Sequence, residues 1–234
     1  MEEIIRLIGV FSKLISLVIV LTFMLATLIA YVLKSLSMSA RHVKELGRRL
    51  EHEDWKVRRD AVKRLQLKNS PLTIEFLLKA SQDSDERVRY EAVTALQRKL
   101  GVDGQEDGEL IPVFKAESSL KPRLVKMFLN ALTDEHPGVR VEATIALGKM
   151  QNPKMIEHLS QALQDANGSV RKRAVLGLGK IGTIRVIKPL FDALGDEYEY
   201  VRMEAVAVLE NLCPLVHVIL FGHKVSEEFE QRHT

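Results

Sequence analysis

Apolar residues recur along this chain with a period of 31 residues, and the same polar residues accompany them each time. The pattern is an Asp, four further residues and a Val-Arg pair, and it stands at residues 83–89, 134–140, 165–171 and 196–202. An imperfect copy ends at Arg58 and has His52 in the Asp position. Successive valines are 31, 51, 31 and 31 residues apart, so one interval contains an insertion of 20 residues. A fixed period in this range predicts a solenoid of stacked helical repeats.

Each repeat predicts a pair of helices. Before the Asp, apolar residues recur at spacings that place them on one face of a first helix. After the Val, apolar residues follow at offsets of four, five and eight, and they form one arc of a second helix. Gly148, Gly179 and Gly182 come late in or after their second helices, where we expect the chain to reverse. The pattern therefore predicts an all-α chain with about five helix pairs over residues 37–212.

The Arg after each Val lies inside the apolar arc, where an unpaired guanidinium would be costly to bury. The Asp five residues before the Val supplies one carboxylate per repeat. We therefore expect a ladder of Asp–Arg pairs along the solenoid, in which each Asp also caps the second helix or the turn before it. The predicted ladder residues are Asp83, Arg89, Asp134, Arg140, Asp165, Arg171, Asp196 and Arg202.

The repeated motif D-x4-V-R-x2-A-x3-L-G resembles the HEAT-like repeats first described in phycobilin lyases. The resemblance covers about residues 41–212, and the repeat at Val170 matches best, continuing as RAVLGLGKIG. It implies a right-handed α-solenoid whose second helices line the concave face. Members of this family include enzymes, chromophore-attachment subunits and scaffolds, so the resemblance specifies the fold more closely than the function.

One enzymatic branch of this family can be compared residue by residue. The similar deoxyhypusine hydroxylases hold a di-iron centre with His-Glu pairs two and three residues after the Val position. Here Glu91, Glu142 and Glu204 stand at the third position, but no histidine stands at the second. With a single cysteine, Cys213, and no Ser-His-Asp or Cys-His arrangement, we expect no metal, no cofactor and no catalytic residue.

The amino-terminal part predicts a membrane anchor over residues 1–36. Residues 14–33 contain no charge, and as a helix they would span roughly 30 Å, which is the thickness of a bilayer core. The run is longer than the apolar core of a cleaved signal peptide, the rival interpretation. Five Lys or Arg residues follow the run closely and two precede it, which predicts a single-pass protein with its solenoid in the cytoplasm. Small residues at every fourth position of the run suggest that it packs in a membrane complex.

Two further segments interrupt or end the repeats. Residues 101–120 form the insertion, which is rich in acidic residues and glycine and is either a solvated loop or a recognition element. Residues 213–234 are predicted to be a cap and tail, and the apolar run 215–221 is too short to cross a bilayer. This run either covers the last repeat or docks on a partner.

The second helices also suggest a binding surface. Two and six residues after each Val, opposite the core arc, most later repeats carry apolar residues where an amphipathic helix would be polar. We call these positions the second-helix face and predict that it binds a protein, as an apolar groove suits a peptide or helix. The alternative is that the solenoid buries this face itself. The predicted contact residues are Tyr90, Val141, Ile145, Lys172, Leu176 and Met203.

Composition limits the partner. The net charge of +3 is modest, the basic residues do not gather on the second-helix face, and aromatic residues are few, so nucleic acid is not expected.

The first hypothesis is a membrane-anchored scaffold or adaptor without enzymatic activity. The alternative, which rests on the phycobilin-lyase resemblance, is an accessory or lyase-like factor for the attachment of a chromophore or cofactor.

Overall fold

The computed structural model describes residues 40–68, 70–99 and 120–212, together with six positions between 22 and 29. All regular secondary structure in these ranges is helical. The chain divides into two compact units, residues 1–48 and residues 49–234. The predicted insertion, up to residue 119, and the predicted cap at 213–234 lie outside the described residues.

The described repeats consist of ten helices, in which first and second helices alternate along the chain. The first helices are α1 (residues 40–49), α3 (Pro71–Ala80), α5 (Leu120–Ala131), α7 (Ile156–Ala162) and α9 (Ile187–Asp192). The second helices are α2 (Trp55–Leu65), α4 (Glu86–Lys99), α6 (Pro137–Lys149), α8 (Gly168–Ile181) and α10 (Glu199–Leu212). Short 3₁₀ turns, Pro153–Met155 and Ile184–Val186, precede α7 and α9, and a third, Ala193–Gly195, follows α9.

The second helices form a continuous row. Each contacts the second helix of the next repeat, and from α4 onward each also contacts the first helix of its own repeat. The Val of the repeated Val-Arg pair is at most 1 % exposed in α4, α6, α8 and α10, and the Ala four residues later is fully buried. This close packing of small and branched side chains confirms the all-α repeat solenoid that the 31-residue period predicts.

Only one of the three glycines predicted to end helices does so. Gly182 is the C-cap of α8 with φ of 63°, a left-handed conformation that costs glycine little. Gly148 and Gly179 instead lie inside α6 and α8. Their small size serves packing, because a Cβ on Gly148 would lie 2.5 Å from the Cα of Gly177, and one on Gly179 would lie 2.6 Å from Val208.

The prediction of a single-pass membrane protein is wrong for this structure. Among the residues that the structure describes, no helix is long enough and apolar enough to cross a membrane. The sequence argument rested on the hydropathy of residues 14–33, whereas a span requires a continuous helix of about 20 residues. Six positions between 22 and 29 are helical, and the rest of that run lies outside the described residues.

Candidate functional site

The ladder residues pair across the boundary between repeats. Arg140 donates from Nε to Asp165 Oδ2 at 2.7 Å and from Nη2 to Asp165 Oδ1 at 2.8 Å. Asp165 belongs to the repeat that follows Arg140. The sequence predicted one Asp and one Arg per repeat but did not specify that they pair between neighbouring repeats. The same two-point contact joins Arg58 to Asp83, Arg89 to Asp134 and Arg171 to Asp196.

Each ladder arginine also holds the turn of its own repeat. Nη1 of Arg140 donates to the backbone carbonyls of Asp134 and Glu135 at 2.8 and 3.0 Å. Arg202 in the fifth repeat makes the equivalent pair of bonds to the carbonyls of Asp196 and Glu197. One guanidinium therefore ties the turn before its own second helix to the carboxylate of the next repeat.

The ladder aspartates close the loop before each second helix. Asp165 Oδ1 accepts a hydrogen bond from the amide of Asn167 at 2.8 Å, and Asn167 then caps α8 by accepting from the amide of Ser169. The Asp83, Asp134 and Asp196 carboxylates accept in the same way from the amide two residues later. The aspartates thus satisfy the turn rather than the first amides of the helix itself.

Ionisation of these carboxylates is favoured despite their burial. Burial by itself would raise the pKa of Asp165, but the hydrogen bond from Arg140, the Asn167 amide and the charges of Arg140 and Arg171 together lower it. Burial likewise opposes the ionisation of Asp134, but the hydrogen bonds from Arg89 and from the His136 amide outweigh it and lower the pKa of Asp134. The hydrogen bond from Arg171 is the largest cause that lowers the pKa of Asp196.

The pairing continues across the insertion. Arg89 and Asp134 are 45 residues apart, whereas Arg58–Asp83, Arg140–Asp165 and Arg171–Asp196 are each 25 apart. The difference equals the 20 inserted residues. The second and third repeats therefore meet as the others do.

The ladder is structural rather than reactive. Its paired side chains are between 7 % and 16 % exposed, and their donors and acceptors are directed at one another. A pocket of about 310 Å³ opens between the fourth and fifth repeats, and Asp165, Arg171, Asp196 and Glu197 are among its lining residues. Arg171 in its wall already contacts Asp196 and Glu197, so its guanidinium is engaged within the structure.

The structure places the predicted contact residues on four successive second helices, α4, α6, α8 and α10. Tyr90, Val141, Ile145, Lys172 and Leu176 are half-buried. Met203 on α10 is 64 % exposed. Tyr90 lies edge-on to His136 of the next repeat, with ring centroids 6.3 Å apart. The middle of the second-helix face is thus apolar and partly accessible.

A second set of ion pairs crosses this face, and the sequence reasoning missed it. Arg59 Nε lies 3.3 Å from Glu91 Oε2, and Lys172 Nζ lies 3.1 Å from Glu204 Oε2. In both pairs a cation two residues after one Val meets a carboxylate three residues after the next. That recurrence in the aligned repeats was the available signal, but the glutamates entered the sequence comparison only as possible metal ligands.

The part of the chain that the structure describes contains no candidate metal site. No group of three or more His, Cys, Asp or Glu side chains there is arranged to hold a metal ion. The glutamates compared with the hydroxylase ligands serve in part as ion-pair partners, as Glu91 does for Arg59 and Lys63.

Comparison with known families identifies the repeats. A family model described as HEAT repeats matches residues 43–108 and 122–210. No curated protein matches the chain.

Solved structures share the fold at low sequence identity. An engineered protein is 21 % identical with a TM-score of 0.54, covering 75 % of this chain and 81 % of its own. A designed armadillo repeat protein in complex with the peptide (KR)4 is 20 % identical with a TM-score of 0.50, covering 75 % and 83 %. The CpcE and CpcF complex of phycocyanin lyase from Nostoc sp. PCC7120 is 19 % identical with a TM-score of 0.51, covering 72 % and 98 %. At these identities the likeness concerns the fold alone.

Proposed function

The chain belongs to the HEAT-repeat family, and on that basis we propose that it is a non-enzymatic scaffold that binds a protein partner through its second-helix face. HEAT-like repeats present their second helices as one extended surface, which the resemblance places on the concave side. Repeat proteins of this kind use such surfaces for recognition. The designed armadillo protein with a similar fold holds a peptide, which is consistent with this role but concerns that protein alone.

The observation that carries the proposal is the apolar middle of the face. Val141 and Ile145 on α6 and Leu176 on α8 stand opposite the core arc, yet they are apolar and only half-buried. An isolated exposed apolar residue needs no explanation, but a row of them on adjacent helices marks a contact surface. The face is therefore suited to an extended peptide or a helix.

A lyase-like role in chromophore or cofactor attachment is the alternative. The phycocyanin lyase subunits share the fold, but the described residues of this chain include no group of three or more His, Cys, Asp or Glu side chains that could hold a metal ion. No specific observation favours that role, and the absorption spectrum in the experiment below tests it.

The test is purification of the full-length chain with its bound proteins, identified by mass spectrometry and accompanied by an absorption spectrum. A double variant, Val141→Glu with Ile145→Glu, places two charges in the middle of the face. The matched control is Ile184→Glu, because Ile184 is 85 % exposed and lies in the 3₁₀ turn before α9 rather than on a second helix. Circular dichroism melts establish that all three proteins are folded.

We expect a partner that is retained by the wild type and by the Ile184→Glu control and is lost from the double variant. A partner that stays bound to a folded double variant would refute the second-helix face as the site. A coloured preparation without a protein partner would instead favour the attachment role.

A further inference from the structure

Cations outnumber carboxylates at the α2 end of the second-helix face. Arg59 and Lys63 both contact the same oxygen of Glu91, at 3.3 and 3.9 Å. Beside that face, Arg64 of α2 and Arg49 of the first helix α1 both contact the same oxygen of Asp60, at 2.9 and 3.4 Å. Four cations thus share two carboxylates, which leaves a local surplus of positive charge.

The surplus is directed outward. The Glu91 side chain is 12 % exposed, whereas those of Arg59 and Lys63 are 37 % and 47 % exposed. The carboxylate therefore lies beneath the two cations, and an incoming group meets the positive ends first. At this depth the pairs remain partly accessible to solvent, so their charges still act on a ligand at short range.

The charge changes along the row of second helices. Helix α2 carries five Lys or Arg residues and one Asp, while α10 carries one Arg and three Glu. On α8, Lys172 contacts Glu204 of α10 at 3.1 Å. The two ends of the face are therefore unlike, and the apolar residues of α6 and α8 lie between them.

Helix spacing sets the length of segment that would reach from the basic end to the apolar middle. Packed helices lie about 8–10 Å apart, so α6 is about 20 Å and α8 about 30 Å from α2. An extended chain advances about 3.3 Å per residue, so these distances correspond to about six and nine residues.

We propose that the second-helix face binds an extended acidic–apolar peptide segment, with Asp or Glu residues against Arg59 and Lys63 and an apolar residue about six to nine positions away against Val141, Ile145 and Leu176. This inference rests on the proposed function of that face and adds the chemistry and orientation of the partner. Charge complementarity of this kind fixes the register of a bound segment and accelerates its association.

The experiment selects binders from a phage-displayed library of random twelve-residue peptides, with the full-length chain as the target. The consensus peptide is then synthesised, and its affinity is measured by fluorescence polarisation. Arg59→Glu with Lys63→Glu is compared with Arg173→Glu with Lys180→Glu, which makes the same change in net charge at two exposed positions of α8. Arg59→Gln, Lys63→Gln and Glu91→Gln together remove both cations and the carboxylate that they share, so no unpaired Glu91 charge remains.

We expect selected peptides with Asp or Glu at one end and an apolar residue six to nine positions away. The affinity should fall about tenfold in the α2 double variant and in the glutamine triple variant, and about threefold or less in the α8 control. Raising the salt concentration should weaken wild-type binding more than binding by the triple variant.

The outcomes separate the two proposals. Peptides that depend on Val141 and Ile145 but show no acidic preference would refute the inferred partner and leave the binding face intact. Peptides that bind the Val141→Glu, Ile145→Glu variant equally well, or no selected peptides at all, would refute both. A twelve-nucleotide single-stranded DNA that binds as tightly, with the same dependence on Arg59 and Lys63, would show recognition of phosphate and overturn the peptide assignment.

Discussion

Arg140 and Asp165 belong to neighbouring repeats, and two parallel hydrogen bonds of 2.7 and 2.8 Å join them. Their side chains are 16 % and 11 % exposed, so the pair lies mostly outside solvent. Arg140 also holds its own turn, which couples the loop geometry of one repeat to the position of the next. The interface between repeats is thus specified by polar groups as well as by apolar packing.

Asp165→Asn is expected to lower the free energy of unfolding by about 3 kcal/mol, because it leaves the Arg140 guanidinium without its buried carboxylate. Urea unfolding followed by circular dichroism measures this change. In a solenoid each repeat contacts only its neighbours, so hydrogen exchange should accelerate most in α6 and α8.

Glu75→Gln is the matched control for that substitution. Glu75 forms a two-point contact with Arg123, including one of 2.7 Å to Nη2, but the two side chains are 42 % and 53 % exposed. An exposed pair of this kind contributes about 1 kcal/mol or less. Equal losses in the two variants would contradict the importance of burial in the ladder.

Acid should destabilise the fold through the ladder carboxylates. The pKa values of Asp134, Asp165 and Asp196 are lowered in the folded chain, so the unfolded chain binds protons more readily as the pH falls. Their contribution to stability is complete above the unfolded value of about 3.9 and is lost as the pH falls through the lower folded values. Urea unfolding between pH 7 and pH 3 should therefore show a decline that becomes steep near and below pH 4. Asp165→Asn should make that decline shallower, and an unchanged slope would exclude Asp165 as a contributor.

Gly148→Ala is expected to cost about 1–3 kcal/mol, since its Cβ would lie 2.5 Å from the backbone of Gly177 and α6 and α8 would have to separate. Gly195→Ala is the control, as nothing lies within 4 Å of a Cβ at that position. The control should change stability by about 0.5 kcal/mol or less. Thermal and urea unfolding of both variants provide the comparison, and a tolerated Gly148→Ala would show that the two helices can move apart freely.

Two buried threonines should respond in opposite directions to replacement by valine. Within the described ranges, Thr94 Oγ1 has no hydrogen-bond partner, whereas Thr144 Oγ1 donates to the carbonyl of Arg140 at 2.7 Å. Thr94→Val removes an unsatisfied buried hydroxyl and should stabilise the chain by about 1 kcal/mol, while Thr144→Val should destabilise it by a similar amount. Urea unfolding of the two variants measures both changes. A loss of stability in both would imply that the Thr94 hydroxyl has a partner in solution.

The period of the apolar residues was sufficient to predict the helix pairs. The Val and Ala positions that define it, such as Val139 and Ala143, are fully buried. The motif placed an Arg in all five repeats and an Asp in four of them, so Arg89, Arg140 and Arg171 each have an equivalent Asp in their own repeat and in the next. Only the direction of the Arg side chain decides between them, and that depends on how the repeats stack.

The second-helix face was harder to predict. Helical offsets correctly indicated positions opposite the core, but exposure also depends on how closely neighbouring second helices approach. Lys172 illustrates the limit, because it was identified as a contact residue while its carboxylate partner, Glu204, comes from the following repeat. Hydropathy of residues 14–33 likewise described composition without establishing a continuous helix.

The ladder has a direction, and its two ends are chemically unlike. Each arginine reaches forward to the aspartate of the next repeat, so a further repeat, or a second copy of the chain, could extend the array only by offering an aspartate to Arg202. The amino-terminal repeat has no such group to offer, because His52 occupies that position. His52 Nδ1 accepts a hydrogen bond from the amide of Asp54 at 3.0 Å, so it preserves the turn without providing a carboxylate. A head-to-tail contact between two copies of the chain would therefore lack the Asp–Arg pair that joins successive repeats within one copy.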